Sequence, residues 1–216
     1  MMLTFFGKGP NGKGGDRSGC SSETLAALQL VRGYWEALRV EGGLPARAQI
    51  DPRGMANCLD KVFLIEQIAP GLARFRLAGM ALNDLLGMDV RGMPLSALFE
   101  PVARARIGHE LEQVFASPTI MEVWLEAERS IGRPALSGRM LLLPLAGAAA
   151  GPKLALGCLV TEGQLGRQPR RFAISGLVRE LVAGSGLRVV AEGGAQVPAP
   201  PRSSGRPALR LVSSRG

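Results

Sequence analysis

The stretch Phe75-Arg76-Leu77-Ala78-Gly79-Met80-Ala81-Leu82-Asn83-Asp84-Leu85-Leu86-Gly87-Met88-Asp89-Val90-Arg91-Gly92 reads as a strand ending at Gly79, a short helical turn stopped by Gly87, and a reversal at Gly92. Pro94 follows, a residue suited to the first turn of a helix. Upstream, Lys61 to Ile68 carries Val62, Phe63, Leu64 and Ile65, apolar on both faces, and Pro70-Gly71 turns the chain into the strand where Ala73, Phe75 and Leu77 alternate with Arg74 and Arg76. Downstream, Pro101 to Ala116 predicts a longer helix. Thr119 to Arg129, Ala135 to Leu145 and Lys153 to Thr161 predict three strands. The expected fold is α+β, a five-stranded antiparallel sheet with every helix of the wrap inserted between strands two and three.

Met140 to Leu143, and again Leu154, Leu156, Leu159 and Val160, make that sheet apolar on both faces, so it needs two covers. The inserted helices supply one. For the other the sequence offers a helix from Ser22 to about Glu41, with Leu25, Leu28, Val31, Trp35 and Leu38 three or four residues apart and Gly42-Gly43 at its end, acting in the same chain or from a second protomer. Between helix and sheet, Asp51-Pro52 is a helix-start pair and predicts a short helix to about Leu59.

A chain of 216 residues, 46% hydrophobic and 20% charged, suits one domain with extensions. Residues 1–21 are glycine-rich and predict disorder; they lack the preceding strand and Lys-Ser/Thr ending of a phosphate-binding loop. Residues 22–59 form the N-terminal helix and lead-in, and residues 60–162 the core. Residues 163–183 predict an amphipathic helix with Ile174, Leu177, Val178, Leu181 and Val182 on one face. Residues 184–216 predict a flexible tail rich in Arg, Pro and Gly, in which 207–212 offers a late docking strand. The net charge of +8 concentrates beyond Gly163, where nine arginines face only Glu180 and Glu192. The most apolar region, Leu141 to Val160, is broken by Pro144, Gly147, Gly151, Pro152 and Lys153, and no basic segment opens a signal peptide, so a cytoplasmic protein is expected. Cys20, Cys58 and Cys158 are too far apart, with a single histidine beside them, to suggest a disulfide framework or a zinc site.

Strand, strand, short helices, longer helix, three strands is the order of a PAS domain. The strand end Arg74-Phe75-Arg76-Leu77-Ala78-Gly79 and the paired glycines of Leu86-Gly87-Met88-Asp89-Val90-Arg91-Gly92 fit it best. Tyr34-Trp35, Pro45-Ala46-Arg47, Asp51-Pro52 and Leu142-Leu143-Pro144-Leu145 widen the likeness, over about Ser22 to Glu162, and the chain resembles a family of small bacterial proteins that are a single PAS domain. The resemblance implies a sensory or regulatory interaction module that acts by contact, as a homodimer and with an unidentified signalling protein.

Candidate sites follow from this reading. The space between wrap and sheet would be lined by Phe75, Met80, Leu85, Met88, Leu98, Met121 and Met140, as a packed core or around a small apolar ligand. Dimer candidates are Leu28, Val31, Trp35, Leu38 and Trp124. The alternative function is binding of an anionic surface, nucleic acid or membrane, through Arg167, Arg170, Arg171, Arg202, Arg206 and Arg210. PAS domains that hold haem use a histidine on the long helix. His109 lies there but points away from the apolar face of Ile107, Leu111, Val114 and Phe115, so no cofactor is expected. No cysteine sits on the inserted helices for flavin chemistry. One histidine assembles neither a catalytic triad nor a metal cluster, and pairs such as Asp84 with Asp89 or Glu126 with Glu128 read as solvated charges, so a non-enzyme is expected.

Overall fold

A computed structural model describes residues 22–147, 153–182 and 188–192. Two 3₁₀ helices, Arg47–Gln49 and Pro52–Lys61, follow α1 (Ser22–Ala37), and the second starts as its residues dictate, with the Asp51 carboxylate accepting from Arg53 N–H at 2.9 Å. The hairpin of β1 (Val62–Ala69) and β2 (Leu72–Ala78) turns at Gly71, whose φ of 69° suits glycine. Then come α2 (Met80–Leu86), the 3₁₀ helix Leu95–Leu98 and α3 (Pro101–Ala116). Gly87 ends α2 in the left-handed region at φ 71°, donating to Asn83 O. Asn83 Oδ1 in turn accepts Val90 N–H at 3.1 Å, which folds the chain back toward Gly92. The remaining strands are β3 (Thr119–Ala127), β4 (Leu136–Pro144), β5 (Leu154–Gly163), β6 (Phe172–Leu181) and β7 (Arg188–Glu192).

All strand pairs are antiparallel, in the order β2-β1-β5-β4-β3-β6-β7. The wrap interrupts the sheet between β2 and β3 as expected, but the sheet has seven strands rather than five. The helix expected over residues 163–183 is the strand β6, and residues 188–192, placed in a flexible tail by the sequence, pair with it as β7. The cause is local. Trp124 faces Gly176 while Leu125 faces Ile174, so one residue, Ser175, is extra in β6. That register shift puts Ile174 and Leu177 on the same side of the sheet although they are three apart, which imitates helical spacing. The free edge of β3 also demands a partner, and Phe172, Ile174 and Val178 favour a strand. The glycine-rich residues 1–21, with Cys20, and the segment 207–212 lie outside the described residues.

Two apolar clusters form, one on each side of the sheet. The inner joins Phe63, Phe75, Leu82, Leu85, Leu98, Ile107, Leu111, Met121, Met140 and Phe172 under the wrap. The outer joins Leu28, Val31 and Trp35 of α1 to Val62, Leu64, Ile120, Leu141, Leu143, Leu156 and Cys158. The second cover is thus α1 of the same chain, locked by Trp35 Nε1–H donating to Pro144 O at 2.9 Å and by Arg32 paired with Glu180 of β6 at 2.5 Å. Among the described residues no helix is long and apolar enough to cross a membrane.

Candidate functional site

The seven residues expected to line a pocket separate into two groups. Phe75, Leu85, Leu98, Met121 and Met140 are buried together in the inner cluster. Met80 and Met88 are instead 64% and 54% exposed, because α2 has only two turns and spends them burying Leu82, Leu85 and Leu86.

Met80 lines a different space, an open cavity of about 440 Å³ on the outer side of the sheet. Its floor is Ile50, Met55, Val62, Leu64 and Leu156, all buried members of the outer cluster. The 3₁₀ helices of the lead-in form one wall and the end of β2 with the start of α2 the other, and the apolar rim stays in water, with Leu59 44% and Leu77 51% exposed. The two walls meet by backbone contact at Gly79. A Cβ on Gly79 would lie 2.1 Å from Asp60 O, so only glycine lets β2 meet the lead-in there. Strict alternation puts Leu77 on the inner side with Phe75, which hides this groove from the sequence. A register shift in the hairpin, pairing Ile65 with Phe75 but Leu64 with Leu77, turns Leu77 outward. Arg47 and Asp60 are the charged residues of the lining.

The lead-in wall is tied to α1. Tyr34 Oη accepts Asp51 N–H at 2.7 Å and donates to Asp51 O at 3.1 Å, and Gly54 lies so close under the Tyr34 ring that a Cβ would sit 2.2 Å from it. Movement of that wall therefore reaches α1 directly.

The dimer candidates Leu28, Val31 and Trp35 are buried in their own chain; Leu38 and Trp124 keep partial exposure. Trp124 lies under the Arg139 guanidinium, 4.9 Å from the ring centroid, and Arg139 also pairs with Glu122. Of the arginines assigned to an anionic surface, Arg167 and Arg171 are exposed, while Arg202, Arg206 and Arg210 lie outside the described residues. Arg170 must be reassigned. It is 1% exposed and donates to the carbonyls of Leu165, Pro134 and Glu128, binding both ends of the β3–β4 loop to the segment after β5. Burial pushes its pKa down, with the Arg133 charge adding to the effect, and the carbonyls give the cation its partners.

Other polar groups serve the fold. Glu66 of β1 is buried between Arg74 and Arg76, and although burial alone would raise its pKa, hydrogen bonds from both guanidiniums hold it below the ordinary value. Glu110 of α3 pairs with Arg179 of β6 at 3.6 Å, which the helical reading of residues 163–183 could not anticipate. Cys58 and Cys158 are free and buried, and burial pushes the Cys158 thiol up to about 12. His109 is exposed on α3, and no group of three His, Cys, Asp or Glu that could hold a metal ion occurs among the described residues.

Compared with models of known families, the chain matches the PAS domain over residues 23–160. No curated protein matches it. The match runs from the start of α1 to within β5 and takes in all the residues lining the groove.

Proposed function

Given that the chain belongs to the PAS domain family, a family of sensory and regulatory modules, we propose that it receives its signal as an apolar ligand in the outer groove and passes it on by contact with a signalling partner. The observation that carries this reading is the rim of Leu59, Leu77 and Met80, apolar side chains held in water around a floor that is itself apolar. Covering one such side chain is worth about 1.5–3 kcal/mol, so an occupant of the groove gains affinity without any rearrangement of the inner core. A cavity of 440 Å³ falls in the size range of small-molecule sites, about 300–1,000 Å³. Output would follow the wall, since the lead-in that the ligand touches is hydrogen-bonded to Tyr34 of α1.

The test is titration of the full chain with a neutral, environment-sensitive apolar dye. Native protein should give saturable, blue-shifted emission, and the double variant Leu77→Asp, Met80→Asp should lose it while melting near the native temperature, because both side chains are already half in water. Equal dye binding by native and variant protein would end the assignment of the groove.

A further inference from the structure

We propose that Met80 is an oxidation site that regulates the outer groove: a hydroperoxide converts its thioether to the sulfoxide, and the sulfoxide lowers the affinity of the groove for an apolar ligand. This rests on the reading of the groove as a ligand site and adds the regulation of that site.

Position singles out this sulfur. Met55 lines the same cavity but is buried in its floor, Met121 and Met140 are buried in the inner cluster, and Met88 is exposed but does not line the cavity. Among the described residues, Met80 is the methionine that both meets water and forms part of the lining. An oxidant arriving from solvent therefore reaches a group that an occupant of the groove touches.

The residue beside the sulfur suits the product. Asn83, about one turn along α2, commits its Oδ1 to Val90 N–H at 3.1 Å, which fixes the amide so that Nδ2 faces Met80 Sδ at 4.0 Å. A thioether is a weak acceptor and a sulfoxide oxygen a strong one, so the same amide holds the oxidised side chain more firmly than the reduced one.

The described thiols compete poorly for the oxidant. Cys58 and Cys158 are buried, and burial raises the pKa of both, so little thiolate is offered to a hydroperoxide at neutral pH. A thioether needs no deprotonation.

The step balances with the hydroperoxide as its only co-reactant. A sulfur lone pair attacks the terminal peroxide oxygen, the S–O bond forms as the O–O bond breaks, and the departing alkoxide takes the hydroperoxide proton and leaves as an alcohol. Sulfur is oxidised by two electrons, and the peroxide is reduced by the same pair. The rim then presents a polar group where a flexible apolar one had covered the occupant. Reversal consumes two thiols and releases a disulfide and water.

The experiment treats the full chain with tert-butyl hydroperoxide. Methionine oxidation is followed by peptide mass mapping and groove affinity by titration with the neutral apolar dye, each protein being compared with itself before and after treatment. Met80 and Met88 should gain oxygen before Met55, Met121 and Met140. Native protein should lose about tenfold in dye affinity while melting within a few degrees of the untreated chain, and sulfoxide reductases for both epimers, supplied with dithiothreitol, should restore the affinity. The ratio of affinities before and after treatment should be native for Met88→Leu and close to one for Met80→Leu. An unchanged affinity once Met80 is oxidised, a Met80→Leu protein that loses as much as native, or a melting temperature that collapses together with dye binding would overturn the regulation and leave the groove standing. Absence of dye binding by the untreated protein would overturn groove and regulation together.

Discussion

Two buried charged side chains, Arg170 and Glu66, take their roles from the groups that surround them. A count of arginines beyond Gly163 suggests a basic surface, but Arg170 is consumed by three loop carbonyls inside the protein, and composition cannot distinguish it from the exposed Arg171 beside it. Glu66 is the reverse case, an acid in an apolar strand whose partners sit on the neighbouring strand, Arg74 directly opposite and Arg76 next to the register shift. Since its folded pKa lies below the ordinary 4.5, its contribution to stability is present above that value and is lost as pH falls through the lower, folded value. Replacing Glu66 by Gln should therefore cost about 1–2 kcal/mol at pH 7, discounted because both arginines are about half exposed. The gap from native protein should shrink as pH falls below 4.5. Urea unfolding of both proteins from pH 3 to 7 measures it, and a gap that stays constant would contradict the pairing.

At the scale of elements, the central hairpin, the glycine-punctuated wrap and α3 are legible in the sequence because their signals are local: Pro70-Gly71, Gly87, Gly92 and Pro101 act on their own backbone. The misread faces of β2 and β6 both trace to register shifts, whereas β7 lies where the sequence reads as a flexible tail. In β2 the shift turns Leu77 to the outer face and makes it a rim residue of the groove; in β6 it gives Ile174 and Leu177 a helical spacing. Face alternation is a property of pairing as well as of sequence, and a one-residue slip is visible only once the partner strand is known. The same limit concealed the candidate site, whose floor comes from the lead-in, β1 and β5 and whose rim includes Leu77 of β2. Because Phe172 and Leu177 of β6 are buried in the inner cluster and Arg179 reaches Glu110, β6 belongs to the domain although it lies beyond the family match. Removing residues 163–216 should leave the β3 edge bare and strip those side chains from the core, destabilising the protein by several kcal/mol and promoting aggregation. Removing only residues 193–216 should leave the melting temperature within a few degrees of native. Equal melting of both truncated chains would show that β6 contributes nothing to stability.

For the whole molecule, the determining fact is that a sheet apolar on both faces is closed by its own chain. Leu28, Val31 and Trp35 spend their surface on β4 and β5, so in this fold they stabilise the protomer; of the residues expected at a dimer contact, Leu38 and Trp124 retain surface for one. We propose that a homodimer forms through that remaining surface, with Trp124 on the outer sheet face. The two roles separate in concentration dependence, since folding of one chain is independent of protein concentration and association is not. Leu28→Asp should lower the melting temperature by many degrees at every concentration, because it buries an unpaired carboxylate where an aliphatic chain packed. Trp124→Ala should leave the melting of dilute protein within a few degrees of native, because the ring is only partly buried and stacked beneath Arg139, yet it should shift the light-scattering mass at high concentration toward that of the protomer. If Leu28→Asp instead yields a stably folded protomer, α1 covers a neighbouring chain in solution, and the outer cluster is an interface between copies.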